Sequence, residues 1–410
     1  MQNTFAPGRQ TEGMAIRTLD DITVGGATLG VRVDINSPLD DSGELADDAR
    51  LRAHLGTISE LLDRGARVAL LAHQGRPGGG TDFATLESHA ARLNELLDRP
   101  VEYCDATFSS GAREAIRDLD DGTAVLLENT RFYSEEYMEF EGPEAAETHL
   151  VKQLAPVFDA YVNDAFAAAH RSQPSLVGFP HSVPSYAGRV MEQELDVLGN
   201  LEDTPRPRIY VIGGAKMGDA IDVIKSGLES GLADAVLTSG MVGNAFLIAD
   251  DVNLGDPSAD AIYEREELVV EEAHDLLAAY GDQIHTPVDV AIDEGGERVE
   301  LGLDELPATS AALDIGAETV EAYTEVLDGA GTAIVNGPAG DFEDERFAAG
   351  TRELFAAATR PEMSIVGGGD TAAALRRLEI EGFDHVSTGG GAALRMLTGG
   401  ELPAVDALDQ

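Results

Sequence analysis

The fold of this 410-residue chain is constrained most by one repeated pattern, in which short β-branched apolar runs alternate with longer amphipathic segments. In the first half, strands are predicted at Gly30–Ile35, Arg67–Ala72, Thr123–Glu128 and Asp159–Asn163. The segment between the first two of these runs carries its leucines and isoleucine at the spacing of one helix face. Signals for tight hairpins are scarce. Alternation of this kind indicates parallel sheets joined by right-handed helical crossovers.

The second half of the chain repeats the pattern. Strands are predicted at Arg208–Ile212, Asp234–Thr238, His285–Val290, Thr332–Asn336, Met363–Val366 and Asp384–Ser387. Helices are predicted over Ile221–Glu229, Glu266–Tyr280, Arg346–Thr359 and Ala372–Leu378. The number of predicted strands exceeds the number found in a typical single sheet. We therefore expect an α/β protein with two doubly wound parallel-sheet (Rossmann-like) domains.

Proline residues mark the boundary between the two halves. Pro180 and Pro184 precede, and Pro205 and Pro207 follow, a segment over Gly188–Asn200 that reads as one connecting helix. We therefore predict an N-terminal domain over residues 16–185, a hinge helix and linker over 186–204, and a C-terminal domain over 205–395. Residues 1–15 are polar and without pattern, which is typical either of a disordered N-terminal extension or of a chain whose true start is Met14, and residues 396–410 are predicted to form a C-terminal segment.

The charge of the chain is strongly negative. It has 28 Lys and Arg residues against 75 Asp and Glu residues, a formal net charge of −47, and only three of the cations are lysines. Such a surface repels nucleic acid and anionic membranes, so neither is expected as a partner. No apolar run approaches the length of a membrane span, and the N-terminus has no secretory pattern. We therefore expect a cytoplasmic protein.

The acidic composition also predicts a dependence on salt. At molar salt the Debye length falls to about 3 Å, which screens repulsion between carboxylates, so the composition indicates an extremely halophilic source. We expect dilution below about 0.5 M KCl to lower the melting temperature, because the carboxylates then repel one another. Circular dichroism across a KCl series measures this, and a melting temperature independent of KCl would contradict the prediction.

Polar residues are concentrated where the first-half strands end. Arginine binds phosphate and carboxylate through paired hydrogen bonds, and ligands of open α/β sheets lie beyond the carboxyl ends of the strands. An arginine-rich edge in an acidic protein therefore indicates a site for a small anion, although any single arginine could instead form a surface ion pair. In chain order the residues are Arg32, Asp34, Asn36, Arg50 at the start of the next helix, His73, Arg76, Asn129, Arg131, Asn163, Asp164, His170 and Arg171.

Glycines occupy the corresponding positions in the second half. Glycines let backbone N–H groups approach a polyphosphate, and the helix that follows adds a positive dipole end. Lys216 lies beside one such loop and Asp370 beside another, where a carboxylate is suited to hold phosphate-bound Mg²⁺. This half is predicted to bind a nucleotide, and the two sites together predict phosphoryl transfer. The strand ends carry Gly213–Gly214, Ser239–Gly240, Gly337–Pro338, Gly367–Gly369 and Gly389–Gly391.

Two other functions stay open on the residues alone. An NAD-linked oxidoreductase would use the same class of sheet, although the chain has no GxGxxG fingerprint followed by an acidic residue. A phosphate-metabolite binder that has lost catalytic turnover would keep both sites. The sequence also has no GxxxxGK[ST] loop and no HExxH motif, which excludes a Walker-type nucleotide site and that class of zinc enzyme.

Eight motifs resemble those of the phosphoglycerate kinase family, in the same order. They are RVDINSP (Arg32–Pro38), HQGRP (His73–Pro77), ENTRF (Glu128–Phe132), NDAFAAAHR (Asn163–Arg171), GGAK (Gly213–Lys216), NGPAGDFE (Asn336–Glu343), GGGDTAAA (Gly367–Ala374) and STGGGA (Ser387–Ala392). The resemblance covers nearly the whole chain, and the HQGRP and AAAHRSQPS forms are similar to the archaeal branch. It implies reversible, Mg²⁺-dependent phosphoryl transfer between 1,3-bisphosphoglycerate and ADP, giving 3-phosphoglycerate and ATP, in glycolysis and gluconeogenesis. It also implies hinge closure that brings the two half-sites together, and a C-terminal segment that packs on the N-terminal domain.

The resemblance assigns residues to each half-site by motif position. It implies that Arg50 and Lys216 are catalytic and stabilise the transferring phosphoryl group. Glu343 is expected on the ribose and Asp370 near Mg²⁺. The partners implied are the two metabolite pairs, 3-phosphoglycerate/1,3-bisphosphoglycerate and ATP/ADP, and we expect a monomer. The 3-phosphoglycerate site would comprise Asp34, Ile35, Asn36, Arg50, His73, Gln74, Gly75, Arg76, Arg131 and Arg171, and the nucleotide site Lys216, Asn336, Glu343, Gly368, Gly369, Asp370 and Thr371.

Two positions depart from the family pattern. Many relatives carry a second lysine four residues after Lys216, where this chain has Ala220. Charge in the transition state would then be neutralised by Lys216, Arg50 and Mg²⁺, or by Lys225 further along the helix. Three alanines precede His170 in place of the commoner Gly-Thr-Ala, which leaves the backbone role of that loop open.

Overall fold

The chain divides into two structural units in a computed structural model, which describes residues 16–40, 42–78 and 80–409. The first unit runs to Gln193 and also includes the last residues of the chain from Leu402, whereas the second unit is Glu194–Glu401. The boundary between the units falls inside one helix, Arg189–Gly199. The predicted disorder of residues 1–15 lies outside the described residues.

The first unit is built on a six-stranded sheet in which all neighbouring strands are parallel. Its strands in chain order are β1 (Thr28–Arg32), β2 (Arg67–Leu71), β3 (Val101–Cys104), β4 (Ala124–Leu127), β5 (Ala160–Asn163) and β6 (Ser185–Ala187). Across the sheet the order is β3-β4-β2-β1-β5-β6. The chain therefore builds the sheet outward from β1 in both directions, which is the doubly wound arrangement.

The central strands are continuous apolar runs because both faces of the sheet are covered. All residues of β1, β4 and β5 are buried. Along β2, Val68 and Leu70 belong to one core, whereas Ala69 and Leu71 belong to the other. The helices of this unit are α1 (Ala49–Asp63), α2 (Glu87–Leu97), α3 (Ser110–Arg117), α4 (Gly142–Ala146), α5 (His149–Leu154) and α6 (Pro174–Val177), and they are followed by α7 (Arg189–Gly199).

The second unit has a parallel sheet of the same size and a small antiparallel sheet. Its strands are β7 (Arg208–Ile212), β8 (Ala235–Thr238), β9 (Ile284–His285), β10 (Asp289–Glu294), β11 (Glu297–Gly302), β12 (Ala312–Ile315), β13 (Thr332–Asn336), β14 (Met363–Gly367) and β15 (His385–Val386). The parallel sheet has the order β15-β14-β13-β7-β8-β9 and the antiparallel sheet the order β11-β10-β12. The helices are α8 (Met217–Glu229), α9 (Gly240–Ala249), α10 (Asp256–Tyr263), α11 (Val269–Tyr280), α12 (Ala317–Asp328), α13 (Ala349–Ala358), α14 (Gly369–Arg377) and α15 (Gly391–Leu397).

The predicted α/β class with two doubly wound parallel sheets is confirmed, but the antiparallel sheet was not predicted. The prediction of one strand over His285–Val290 is wrong, because β9 ends at His285 and β10 begins at Asp289 in the other sheet. Strands β10 and β11 form a hairpin that turns at Gly295 and Gly296, with φ of +66° and +94°. A Gly-Gly pair between two strands is a hairpin signal, so the sequence did contain this information.

The end of the chain returns to the first unit. A short helix, α16 (Pro403–Asp406), lies there, and the backbone N–H of Ala404 donates to the carbonyl of Ala169 at 3.1 Å. Ala169 lies in the loop that follows β5 and directly precedes His170.

No helix in the described part of the chain combines the length and the hydropathy that crossing a membrane requires.

Candidate active site

The carboxyl ends of four neighbouring strands in the first unit lie along one edge of the sheet. Strands β4, β2, β1 and β5 are adjacent and parallel, so the loops that follow them come together. The start of α1 contributes one further arginine. We call the side chains that meet there the anion pocket, and they are Arg32, Asp34, Arg50, His73, Arg131 and Arg171.

His73 lies between two guanidinium groups of the anion pocket. Its Nδ1 is 2.8 Å from Nη2 of Arg32, and its Nε2 is 3.4 Å from Nη1 of Arg171. A guanidinium group only donates hydrogen bonds, so Nδ1 accepts from Arg32. Burial lowers the pKa of His73 well below its ordinary value, and the neighbouring guanidinium groups lower it further against the opposing effect of Asp34. His73 is therefore neutral at pH 7. Because the contact with Arg32 is the shorter of the two, Nδ1 is the acceptor and the one proton is on Nε2, which makes no hydrogen bond to Arg171.

Positive charge exceeds negative charge in the anion pocket. The Asp34 carboxylate is 6% exposed and accepts from Nη1 of Arg50 at 2.7 Å. Burial alone would raise the pKa of Asp34, but with His73 neutral, the charges of Arg50 and Arg32 and the backbone N–H of Asn36 lower it and keep this carboxyl group ionised. Burial, followed by repulsion from neighbouring guanidinium groups, lowers the pKa of Arg131 to about 10. Four guanidinium groups held around one carboxylate form a site that an anion would stabilise.

The loop after β2 is fixed against the loop after β1. The backbone N–H of Gly75 donates to Oδ1 of Asn36 at 2.8 Å, and the Arg131 guanidinium donates to the Gly75 carbonyl. Gly75 has φ of +62°, and a Cβ at this position would lie 2.3 Å from the carbonyl oxygen of Asp82. Only glycine is therefore accommodated in the backbone that presents His73.

Two of the predicted substrate-site residues are buried within the protein, and a third is exposed. Ile35 is fully buried in the core of the first unit. The side-chain amide of Gln74 bonds to the protein itself, because Nε2 donates to the carbonyl of Ser37 at 2.7 Å and Oε1 accepts from its N–H at 3.0 Å. Arg76 is exposed to solvent. Ile35 and Gln74 therefore shape the backbone of the site, whereas the exposed Arg76 lies close enough to Arg171 for its charge to contribute, after burial, to lowering the pKa of that residue.

Arg32 was expected at this edge of the sheet but was not assigned to the site. It is 2% exposed, and its guanidinium group donates to Oγ of Ser175 at 3.0 Å, to the carbonyl of Val33 and to His73. Ser175 Oγ in turn donates to the Glu136 carboxylate at 2.7 Å. Arg32 thus orients His73 from within the protein. Its place in RVDINSP was a usable signal, but nothing in the sequence pointed to Ser175 or Glu136.

The second unit, which is described in full, has a pocket at the carboxyl ends of its parallel strands. The loops after β7, β13 and β14 and the first turns of α8, α14 and α15 form it. We call it the glycine pocket. Its lining residues are Gly213, Gly214, Ala215, Lys216, Asp219, Ala220, Asn336, Gly337, Pro338, Gly368, Gly369, Asp370, Thr371, Gly390, Gly391 and Leu394.

Two helix starts carry the charged groups of the glycine pocket. Lys216 immediately precedes α8, and Asp370 lies in the first turn of α14. Lys216 Nζ is 2.9 Å from Asp370 Oδ2, and both side chains are largely exposed. Backbone N–H groups at helix N-termini bind phosphate oxygens. The pocket therefore combines two helix N-termini suited to bind phosphate with the ammonium group of Lys216. It also holds the carboxylate of Asp370, which is suited to bind a metal ion.

The backbone of the glycine pocket is held by Thr371. This residue is 1% exposed, and its Oγ1 accepts from the backbone N–H of Gly337 at 2.7 Å. Gly337 has φ of +89°, and a Cβ there would lie 2.1 Å from the Gly213 carbonyl oxygen. The loops after β7 and β13 can approach each other this closely only because the residue is glycine. Asn336, at the end of β13, lines the pocket beside them.

The lining of the glycine pocket includes one, and lacks two, of three further positions that the sequence analysis discussed. Ala220 lines it, so the missing second lysine would have been a pocket residue. Lys225 is exposed on α8 and is not part of the lining. Glu343 is also not part of the lining, and its carbonyl accepts from Arg377 at the end of α14 at 2.7 Å. Asp219, in the first turn of α8, lines the pocket and was not predicted.

Phosphoryl transfer requires little covalent chemistry from the protein, but both reactants must be positioned and their charge neutralised. Each of the two doubly wound units carries groups suited to bind an anion at the carboxyl ends of its strands, as a kinase of a phosphorylated metabolite requires. The family profile described as phosphoglycerate kinase matches residues 19–400. The chain belongs to the phosphoglycerate kinase family. It is a phosphotransferase with a carboxyl group as acceptor and interconverts 1,3-bisphosphoglycerate and ADP with 3-phosphoglycerate and ATP.

Relatives and solved structures agree with this assignment over almost the full chain. Phosphoglycerate kinases of Natronomonas pharaonis and Halobacterium salinarum are 66% and 62% identical over 96% of this chain, and the alignments cover 99% and 100% of those proteins. The crystal structure of phosphoglycerate kinase from Pyrococcus horikoshii OT3 has a TM-score of 0.89 at 42% identity, covering 96% of this chain and 98% of that one. Two of these relatives come from halophilic archaea, and the halophilic source of this chain stays a prediction from its acidic composition.

Proposed function

We propose that 3-phosphoglycerate binds in the anion pocket, that the nucleotide binds in the glycine pocket, and that Arg50 and Lys216 stabilise the phosphoryl group in transfer. The observation that carries this proposal is the gathering of four guanidinium groups around the single carboxylate of Asp34, with His73 beside them. A ligand with both a phosphate and a carboxylate supplies the missing negative charge. Guanidinium groups bind both of these groups through paired hydrogen bonds.

The catalytic role of Arg50 is supported by how this residue is held. Nη1 is anchored on the buried carboxylate of Asp34, while the side chain as a whole is 46% exposed. Its remaining N–H donors can therefore contact a transferring group without a change in the anchor. The acceptor is a carboxylate that carries no proton at pH 7, so the reaction needs no general base.

The glycine pocket is suited to nucleotide phosphates with Mg²⁺. No group of three or more His, Cys, Asp and Glu side chains is placed to hold a metal among the described residues. Mg²⁺ in kinases usually takes one or two carboxylates and the substrate phosphates, and Asp370, with Asp219 in the same lining, fits this requirement. When bound, the ion would neutralise charge on the phosphate oxygens. Asp370 would then have to exchange its contact with Lys216, which frees that ammonium group for the phosphoryl group.

The wider setting follows from the reaction and the charge. We infer that the enzyme acts in the cytoplasm, where glycolytic intermediates occur, and as a monomer, because one chain carries both half-sites. The net charge of −47 disfavours nucleic acid and anionic membranes as partners. Transfer between two ligands held by different units also requires hinge closure during the catalytic cycle.

A direct assay tests the proposed function. Purified protein in molar KCl with 3-phosphoglycerate, ATP and Mg²⁺ should form ADP, which ³¹P NMR detects without coupling enzymes. Glycerate, which has the carboxylate but not the phosphate, serves as the control and should support much less turnover. Binding of 3-phosphoglycerate without ADP formation would favour the non-catalytic binder, and reduction of NAD by a hydroxy acid would favour the oxidoreductase.

A further inference from the structure

A buried histidine and a buried aspartate adjoin the anion pocket and have no part in the mechanism above. His54, on α1, is 3% exposed, and Asp164, after β5, is fully buried. Nδ1 of His54 lies 2.6 Å from Oδ2 of Asp164. We call these two residues the His–Asp pair.

The other ring nitrogen of His54 contacts the backbone of the anion pocket. Nε2 lies 3.1 Å from the backbone nitrogen of Asp34 and 3.2 Å from its carbonyl oxygen. A neutral imidazole has one donor nitrogen and one acceptor nitrogen. With Nδ1–H donating to Asp164, Nε2 accepts from the N–H of Asp34. The opposite tautomer would donate to the Asp34 carbonyl and would leave that N–H unpaired.

The second carboxylate oxygen of Asp164 holds the start of α7. Oδ1 accepts from the backbone N–H of Val190 at 2.9 Å. A Cβ at Gly188 would lie 2.2 Å from the same oxygen, so the backbone there is packed tightly against the carboxylate. The fully buried carboxylate of Asp164 therefore contacts both His54 and the first turn of α7. Because both of its oxygens are held, the carboxylate cannot rotate away from His54.

We propose that the His–Asp pair positions Asp34, and through it Arg50, for 3-phosphoglycerate, by holding His54 in the tautomer that accepts the Asp34 N–H. The Asp34 carboxylate completes the connection, because it accepts from Nη1 of Arg50 at 2.7 Å. His54 and Asp164 are positioning residues, since they act through Asp34 and are themselves buried. The inference rests on the proposed binding of 3-phosphoglycerate in the anion pocket.

Asp164→Asn tests the role of the carboxylate with little change of shape. The amide oxygen can still accept from Val190, but the NH₂ group then faces Nδ1 of His54. His54 must accept at Nδ1 and carry its proton on Nε2, so the Asp34 N–H loses its partner. We expect the KM for 3-phosphoglycerate to rise about tenfold, the effect of one broken buried hydrogen bond, with the KM for ATP unchanged. An unchanged KM for 3-phosphoglycerate, or an equal rise in both values, would overturn the proposal.

Two substitutions of His54 provide a matched pair. The amide of His54→Gln reaches the position of Nε2 and can accept from the Asp34 N–H, so this variant should retain most of the affinity for 3-phosphoglycerate. The amide of His54→Asn reaches only the position of Nδ1, so it keeps the contact with Asp164 and should show the raised KM. A lower KM for 3-phosphoglycerate in His54→Asn than in His54→Gln would contradict the proposal. A role of His54 in packing alone predicts no difference in KM between the two variants.

A measurement on the unmodified enzyme decides the question even if these variants do not fold. ¹⁵N NMR of histidine-labelled protein in molar KCl reports which ring nitrogen of His54 carries the proton. We expect Nδ1 to be protonated and its signal to shift when 3-phosphoglycerate is added but not when ATP alone is added. A proton on Nε2, or a signal that 3-phosphoglycerate does not change, would overturn the positioning role.

Arg131→Ala separates failure of this inference from failure of the proposed function. Arg131 belongs to the anion pocket and contacts the Gly75 carbonyl, not the His–Asp pair. Its loss should raise the KM for 3-phosphoglycerate whether or not the His–Asp pair has a positioning role. If Arg131→Ala raises this KM and Asp164→Asn does not, the positioning role is wrong. If neither does, the proposed binding of 3-phosphoglycerate in the anion pocket is wrong.

Discussion

Replacing Arg50 with alanine should lower kcat by about 10³-fold or more, as expected when an arginine that neutralises a transferring phosphoryl group is removed. The structure gives the physical reason. Asp34 anchors one nitrogen of the guanidinium group at 2.7 Å, so the group is already oriented and its other donors face away from the anchor. An alanine leaves the charge of the transition state without this partner. Initial rates of ADP formation in molar KCl, at saturating 3-phosphoglycerate and ATP, measure the effect.

Arg52→Ala is the matched control for Arg50. Arg52 lies on the same helix, and its side chain is 53% exposed and pairs with Asp48 at 2.8 Å. Exposed ion pairs of this kind contribute about 0–1 kcal/mol, so activity should be unchanged. If Arg50→Ala loses only about tenfold in kcat, or about 1.4 kcal/mol, Arg50 serves ground-state binding and its catalytic assignment fails.

Replacing Lys216 with alanine should lower kcat by about 10²–10³-fold, the range found when one preorganised donor to a developing anion is removed. Lys216 is the one lysine in the lining of the glycine pocket, and Ala220 supplies no second ammonium group. Its charge therefore has no substitute within the pocket. Lys216→Arg should recover little activity, because a planar guanidinium group does not replace a compact ammonium ion at a point contact. The same initial-rate measurement applies.

Lys225→Ala is the control for Lys216. Lys225 lies nine residues further along the chain, about 13 Å along the axis of α8, is exposed, and is not part of the pocket lining. Activity should be unchanged. A large loss in Lys225→Ala with a small loss in Lys216→Ala would show that Lys225 reaches the phosphates instead. Circular dichroism at the same KCl concentration confirms that each variant is folded.

The strands predicted most closely are central strands buried on both faces, although the edge strand β15 (His385–Val386) was also predicted, over Asp384–Ser387. β7 and β13 have the predicted bounds, because continuous apolar runs of strand length have few other interpretations in a chain of this pattern. β3 and β6, at the edges of the first sheet, were not predicted. β11 carries charged residues on a partly exposed surface, so its sequence resembles a loop. Edge and half-exposed strands depend on hydrogen bonds to a neighbour that local patterning does not reveal.

The sequence predicted which residue types lie at the candidate site, but it did not predict which side chains contact one another there. Arginines and His73 at the strand ends of the first half indicated an anion, and glycines at those of the second half indicated a nucleotide, because several such residues at one edge of a sheet are suited to bind negatively charged ligands. The sequence could not show that Gln74 and Ile35 are buried, since both stand in the same motifs as the pocket residues. Their surroundings depend on how the loops fold back on the sheet.

Local periodicity and the motifs at strand ends were sufficient to predict the fold class, the family and the chemistry of this chain. Such patterns are visible in the sequence because they reflect short-range sterics and which faces of each element are buried. The partners of individual side chains came only from the folded arrangement. His54 and Asp164 are 110 residues apart in the chain, and they meet because the order β2-β1-β5 places the loop after β5 beside the helix after β1. A hydrogen bond across that separation is determined by the order of strands in the sheet, which no local pattern records.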